Sequence, residues 1–409
     1  MRTELLTEST AQELRLHSDQ ARRLRQLGRS LASNTDWWGV EPRETRMPSS
    51  VIRCTHLSGD RYEVRVSDAI GAVGLGDLQL LVQPKIPMRH LLYLLREADQ
   101  LPRTDDDSAE LEPDATFFSL VARWYLIACE RLLRRDLIRD YESVTADLQT
   151  VRGKIHPVAT VRSVLSGRPS VRCDYEHFGV DNPLNRVLAA ASRVLSAEPS
   201  LSDALRRRSR RIYARLGGVG ELRPTDIRSA TDARSLHYRD AHSLALRILI
   251  GHGTSTQAGK SPAWTFLFRT PEPVEEGIRT VIQRHLSHTW GVRKRGRALL
   301  GAKRRTLNPD LVFGNEAVDA DAVGDVKYRL SSGGIKTDHL YQLTAFAAGY
   351  HAPRAVLIEF GSGDETDHVE VGDYRVDSFS WDIHMEDPED AGRQLATHLE
   401  QWLATELAA

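Results

Sequence analysis

Two aspartates and a lysine in the stretch LNPDLVFGNEAVDADAVGDVKYRL (307–330) have types and spacing that suit chemistry. Asp310 opens the apolar run LVF directly after Pro309, and Asp325 and Lys327 lie two positions apart in a second run, AVGDVKY. Two such runs around a Gly-Asn-containing turn predict a β-hairpin. Strand residues two apart share a face, and the fold-back sets Asp310 beside Asp325. Adjacent carboxylates repel each other, and a divalent cation removes that repulsion. Hard oxygen ligands suit Mg²⁺ or Mn²⁺, with the main-chain carbonyl of Val326 as a third ligand beside Asp310 and Asp325. Such a metal lowers the pKa of a bound water and neutralises charge on a scissile phosphate. Lys327 is placed to orient or help deprotonate that water and to stabilise the transition state. The alternative for the same residues is a solubilised hairpin, with Asp319, Asp321 and Asp325 facing water and Lys327 paired to one of them.

The elements around this hairpin must position its side chains. Upstream, PEPVEEGIRTVIQRHL reads as a helix with Glu275 bordering its core-facing side and Glu276 turned toward Arg279 and Gln283. Charge compensation at the helix N-terminus is the simpler role for Glu275. Downstream, DHLYQLTAFAAGY reads as a helix bearing Tyr341, Gln342 and Phe346, and RAVLIEF as a further strand. Helix with Glu275, strand with Pro309-Asp310, strand with Asp325-Val326-Lys327, then helix with Gln342: this order resembles the core of the PD-(D/E)XK nucleases. The resemblance implies a restriction-endonuclease-like α/β domain in which Glu275, Asp310, Asp325, Lys327 and Gln342 serve catalysis. Between the first helix and the hairpin, Arg293, Lys294, Arg295, Arg297, Lys303, Arg304 and Arg305 form a basic stretch suited to DNA phosphates. Only seven of the 55 basic residues are lysine, and four of those fall between 294 and 336.

The rest of the chain is organised differently. Residues 4–33 read as a polar, arginine-rich amphipathic helix ending near Gly28; 51–87 carry strand and hairpin alternation; 88–250 are mainly helical. The apolar spacing of FFSLVARWYLIACERLLRRDLIRDY predicts a buried helix of more than five turns. Asn182 and Pro183 mark another helix start, and TDDDSAELEPDA (104–115) reads as an exposed loop. The expected fold is an α+β domain of hairpins and helices over 1–255, a linker at 251–262, and the α/β nuclease domain over 263–409. The linker's Gly259-Lys260-Ser261 imitates a phosphate-binding loop, but Thr254 stands where the first glycine belongs and Pro262 blocks the helix. Three separated cysteines, a polar N-terminus and no membrane-length apolar run predict a reducing cytoplasm and no membrane partner. A net charge of −1 gives no global sign of nucleic-acid binding.

Beyond the hairpin the chain resembles the McrC family, the nuclease subunits of McrBC-type modification-dependent restriction systems. GDLQLLVQPKIP (76–87) resembles the family's strand ending in Pro-Lys-Ile. LLRRDLIRDYESVTADLQTVRGKI (132–155) resembles its passage through Tyr to Arg-Gly-Lys-Ile, and YEHFGVDNPLNRVLAAA (175–191) its Asp-x-Pro-x-Asn-Arg helix start. The family's Phe-Glu is Val274-Glu275 here, and its Asp-Ala-Lys-Tyr is Asp325-Val326-Lys327-Tyr328. The resemblance implies a Mg²⁺-dependent endonuclease that docks through its N-terminal domain into a McrB-like AAA+ GTPase ring. It would stimulate GTP hydrolysis there and cut DNA bearing modified cytosine. Two other readings use the same residues: a non-catalytic adaptor with a degenerate nuclease fold, and a stand-alone RecB-like repair nuclease.

Overall fold

The computed structural model describes residues 2–33, 50–101, 116–167, 170–229, 231–232, 235–252, 263–286, 290–299, 306–314, 320–331, 333–363 and 366–405. The acidic stretch at 104–115, most of the 251–262 linker with its Gly-Lys-Ser, and Asp319 therefore lie outside the described residues.

Two short strands, β1 (Arg2–Thr7) and β2 (Gln12–Arg15), precede helix α1 (Ser18–Ser33). The expected helix over 4–33 is thus confined to its second half. Its first half alternates and pairs with strands far along the chain. Hairpins β3 (Ile52–Ser58)/β4 (Arg61–Val66) and β5 (Ala69–Leu75)/β6 (Leu78–Gln83) follow, then α2 (Met88–Glu97). β1 runs parallel to β6, and β2 antiparallel to β4. α1 lays Ala21, Leu24 and Leu31 on the core that these strands form.

The middle of the chain is mainly helical. α3 (Phe117–Leu132), 16 residues or about 4.4 turns, falls short of the predicted more than five turns, and the last two residues of that apolar pattern belong to the strand β7 (Asp140–Leu148). β8 (Lys154–Ile155), α4 (Pro157–Leu165) and β9 (Val171–Gly179) follow, with β9 between β7 and β8 in one small sheet. Helices α5 (Pro183–Ala197), α6 (Asp203–Arg215) and α7 (Arg239–His252) complete the segment. Asn182 caps α5 as its sequence predicts, accepting from Asn185 N at 3.1 Å. The Asp-x-Pro-x-Asn-Arg motif proves to be a structural knot. Asn185 Nδ2 donates to the carbonyls of Ile138 and Val180. Arg186, itself buried, bonds Asp226 twice and Asp181 once.

The chain continues through β10 (Ala263–Arg269), α8 (Pro271–His285), β11 (Val292–Arg293), β12 (Arg297–Ala298), β13 (Thr306–Leu307), β14 (Leu311–Phe313) and β15 (Ala322–Leu330). Then come α9 (Thr337–Tyr350), β16 (Arg354–Gly361), β17 (Asp367–Val371), β18 (Tyr374–Asp382) and α10 (Pro388–Ala404). The principal sheet has the order β11-β14-β15-β16-β18-β17, with β15, β16 and β18 parallel and the others antiparallel to their neighbours. α9 covers one face with Leu343, Phe346 and Ala347. α10 covers the other, its Trp402 against Phe313 and Phe379.

Contacts divide the chain into two compact units: Met1–Glu110 with Ala258–Ala263 and Leu267–Ala409, and Leu111–Gln257 with Trp264–Phe266. The first 110 residues therefore belong with the C-terminal sheet, where the sequence reading joined them to the helical segment. Gly277 on α8 shows why: a Cβ there would stand 2.3 Å from the Leu94 carbonyl oxygen of α2. Nearby, the Trp381 indole donates to His90 Nδ1 at 2.9 Å, leaving His90 Nε2–H for the Met385 carbonyl at 2.9 Å. Gly277→Ala forces these helices apart and should cost about 1–3 kcal/mol, measured by chemical denaturation; an unchanged midpoint refutes the close approach.

Candidate active site

The hairpin register sets the site. Leu311 pairs with Gly324, so Asp310, one step outward, stands across from Asp325. Both carboxylates are buried, at 7% and 3% exposure. Asp310 Oδ2 accepts from the Val326 amide at 3.1 Å, which ties the acid to the neighbouring strand. Lys327 Nζ lies 2.5 Å from Asp325 Oδ2. Its angle does not make a directed hydrogen bond, so that buried oxygen is left without one. From α8, Glu275 enters the same field, while Arg279 Nη1 donates to the Asp310 carbonyl at 3.4 Å. Glu276 turns away to pair with Arg279.

β15 changes register here. Val326 pairs with Ile358, but the next paired residues are Leu330 and Phe360, so the span containing Lys327, Tyr328 and Arg329 bulges out of the ladder. Bulges re-aim side chains beside functional sites, and this one carries the lysine.

The charges are strained. Burial pushes the Asp325 carboxyl up to about 6, with Lys327 opposing and Asp310 adding to the rise. Burial, then Asp310, pushes Glu275 up to about 8 against the pull of Lys294 and Lys327. His339 at the start of α9 is drawn down to about 4 by burial and by Arg329, Lys327 and Lys336. It is thus a neutral imidazole close to the lysine at physiological pH.

Asp310, Asp325, Val326, Lys327 and Glu275 come together as their spacing predicts. Gln342 is half-buried on α9 and makes no hydrogen bond to Asp310, Asp325 or Lys327. The basic stretch divides. Lys294 joins the site, its Nζ 3.1 Å from Asp310 Oδ1. The Arg295 carbonyl instead accepts from the Tyr350 hydroxyl, and the Arg297 guanidinium lies over the Tyr350 ring at 5.7 Å. Arg293 sits in β11, paired with Val312, whereas Lys303, Arg304 and Arg305 lie outside the described residues. His339 and the siting of Lys294 escaped the sequence reading. Two-residue β11, which ends just before Lys294 and leads it to Asp310, is too short to leave a periodic signal.

The donor set fits a hard divalent ion in part. Two buried carboxylates face each other, and one oxygen lacks a directed partner. Among the described residues, no group of three or more His, Cys, Asp or Glu is arranged to hold a metal. A main-chain carbonyl and solvent would have to complete the coordination, as suits Mg²⁺, which keeps several waters.

Sequence comparison places the chain in a family. The profile of the McrBC 5-methylcytosine restriction system component matches residues 64–358, and the chain belongs to that family. The Type IV methyl-directed restriction enzyme EcoKMcrBC of Escherichia coli (strain K12) is 24% identical over 144 residues, 35% of this chain and 41% of that protein's length. In fold, the chain is similar to one from the refined half-complex of the tetradecameric assembly of Thermococcus gammatolerans McrB AAA+ hexamers with bound McrC. The TM-score is 0.67 at 16% identity, covering 97% of this chain and 100% of that one.

Glu275 gives the site a pH signature. Its folded pKa lies above its ordinary 4.5, so its contribution to stability is complete below about 4.5 and is lost as pH rises through about 8. In EDTA, Glu275→Gln should therefore melt several degrees above the parent at pH 9 and level with it at pH 4. Equal melting temperatures at pH 9 would show that the carboxyl is not held in this field.

Proposed function

We propose that this chain is the DNA-cleaving subunit of a McrBC-type restriction system. In this reading it is a PD-(D/E)XK endonuclease that hydrolyses phosphodiester bonds in DNA bearing modified cytosine. The observation that carries the proposal is the pair of buried carboxylates, Asp310 and Asp325, set against each other beside Lys327.

Asp310, Asp325 and the carbonyl of Val326 would hold Mg²⁺ or Mn²⁺, which supplies Lewis-acid stabilisation of the phosphate charge. Lys327, paired as a cation with Asp325, orients the attacking water and counters negative charge as the transition state forms. Lys294, 46% exposed at the mouth of the site, sits where a phosphate oxygen can replace Asp310 as its partner. Neutral His339 leaves the charge of Lys327 undiluted. Arg293, Arg295 and Arg297 extend the basic surface that positions the duplex.

The partner is a GTP-hydrolysing AAA+ ring similar to McrB, which the chain would bind and stimulate. The unit of residues 111–257 offers a surface for it. α4 buries none of its residues, and Val158, Val161 and Leu165 stand exposed at helical spacing on one face. Tyr141 and Phe178 add an exposed aromatic pair with ring centroids 5.0 Å apart.

The test is cleavage of 5-methylcytosine DNA by the full chain with its partner GTPase, GTP and Mg²⁺. Asp325→Asn and Lys327→Met should each lower cleavage about 100-fold or more while leaving GTPase stimulation intact. Undiminished cleavage by either variant removes the site assignment. Stimulation by a wild-type chain that never cuts favours the adaptor reading.

A further inference from the structure

Behind the bulge of β15 lies a second polar cluster, apart from the two aspartates. The Pro-Lys-Ile motif after β6 delivers Lys85, whose Nζ stands 4.0 Å from the centroid of the Tyr328 ring. Tyr328 is the residue after Lys327 and is 7% exposed. At the end of β1, Glu8 is fully buried, and it takes a hydrogen bond from the Thr270 hydroxyl. Thr270 occupies the N-cap position of α8, and its own amide donates to the Asp68 carbonyl at 3.2 Å. Glu8 and Lys85 are each other's strongest charged neighbours. Burial raises the Glu8 pKa and lowers that of Lys85, each opposed by the other. Glu8 Oε2 and the Tyr328 hydroxyl are both buried without a directed hydrogen bond.

The placement of these groups is informative. Thr270 begins the helix that carries Glu275, and Tyr328 sits in the bulge that carries Lys327. That bulge has left the ladder with β16, so main-chain pairing does not hold Lys327 in place there. Two other anchors are visible. Arg329 pairs with Glu359, and Tyr328 is fixed between Lys85 and an edge-on contact to Phe360 at 5.5 Å. Burying two charges for packing alone is poorly rewarded, since apolar residues of similar volume do as well or better. Glu8 reaches the start of α8 through Thr270, and Lys85 reaches the bulge through Tyr328.

We propose that Glu8, Lys85, Thr270 and Tyr328 form a positioning cluster that holds Lys327 and Glu275 in register from behind the sheet. The N-terminal strands are then part of the support of the cleavage site. This rests on the nuclease reading given above. The four are positioning residues that act through Lys327 and Glu275.

The test uses the full chain and its partner. Lys85→Met keeps the side-chain packing on Tyr328 but removes the charge. It should lower kcat for cleavage about 10- to 100-fold, with KM for DNA within about twofold and GTPase stimulation unchanged. Lys85→Arg, which keeps the cation over the ring, should restore most of the rate. Glu8→Gln/Lys85→Met leaves no buried charge unpaired; it should recover the melting temperature yet stay slow. Recovery of cleavage together with stability would reduce the cluster to a structural role and overturn the proposal, as would a Lys85→Met enzyme of normal kcat. A readout free of cleavage comes from the seven lysines, few enough to resolve by NMR after reductive ¹³C-methylation. The Lys327 signal, assigned by its loss in Lys327→Met, should shift or broaden in Lys85→Met. An unmoved signal overturns the positioning role even if cleavage is never observed, whereas a shifted signal without wild-type cleavage refutes only the nuclease reading.

Discussion

The repulsion between Asp310 and Asp325 is the constraint to which the C-terminal sheet answers. Left in water, two carboxylates would separate. Here the β14/β15 register fixes them opposite each other, the Val326 amide holds one, and lysines approach from two directions. Burial multiplies the cost of both charges. The site therefore keeps a standing demand for positive charge, and Lys294 and Lys327 meet it only partly, since the carboxyls of Asp325 and Glu275 stay raised. Under the proposed function, a cation is what would relieve that imbalance.

The surrounding architecture keeps the demand from relaxing. α9 and α10 clamp the sheet from its two faces, and α8 is drawn onto α2 so tightly that only a glycine fits at 277. A looser contact would let Glu275 swing into solvent, where its carboxyl would ionise freely. The close approach at Gly277 and the raised pKa of Glu275 are thus two aspects of one packing arrangement.

Where local pattern decided conformation, the sequence was readable. The Asp310/Asp325/Lys327 hairpin, the helix bearing Glu275, the cap at Asn182 and the strand RAVLIEF all depend on neighbours close in the chain, and each formed as read. Long-range pairing was opaque. β1 is a strand because β6, whose Leu78 pairs with Arg2, offers it an edge; RTELLT by itself looks equally helical. The apolar pattern from Phe117 runs on to Tyr141, yet its last two residues pair with β9 in a sheet that no local signal announces. Lys294 reads in the sequence as one of a run of phosphate-facing cations; its approach to Asp310 depends on the pairing of the two-residue strand just before it with β14. Lys85 stood in a motif that could be recognised but not explained until Tyr328 was seen beneath it.

The interleaving of the two units has a consequence during synthesis. Residues 111–257 emerge from the ribosome as one nearly continuous stretch, whereas Met1–Glu110 and its partner segment from Leu267 onward are made on either side of it. The helical unit can mature first, and Glu8 and Lys85 meet Thr270 and Tyr328 only near the end of translation. Glu275, Asp310, Asp325 and Lys327 are all translated after residues 111–257, so the candidate site comes together only once the C-terminal part of the chain has been made.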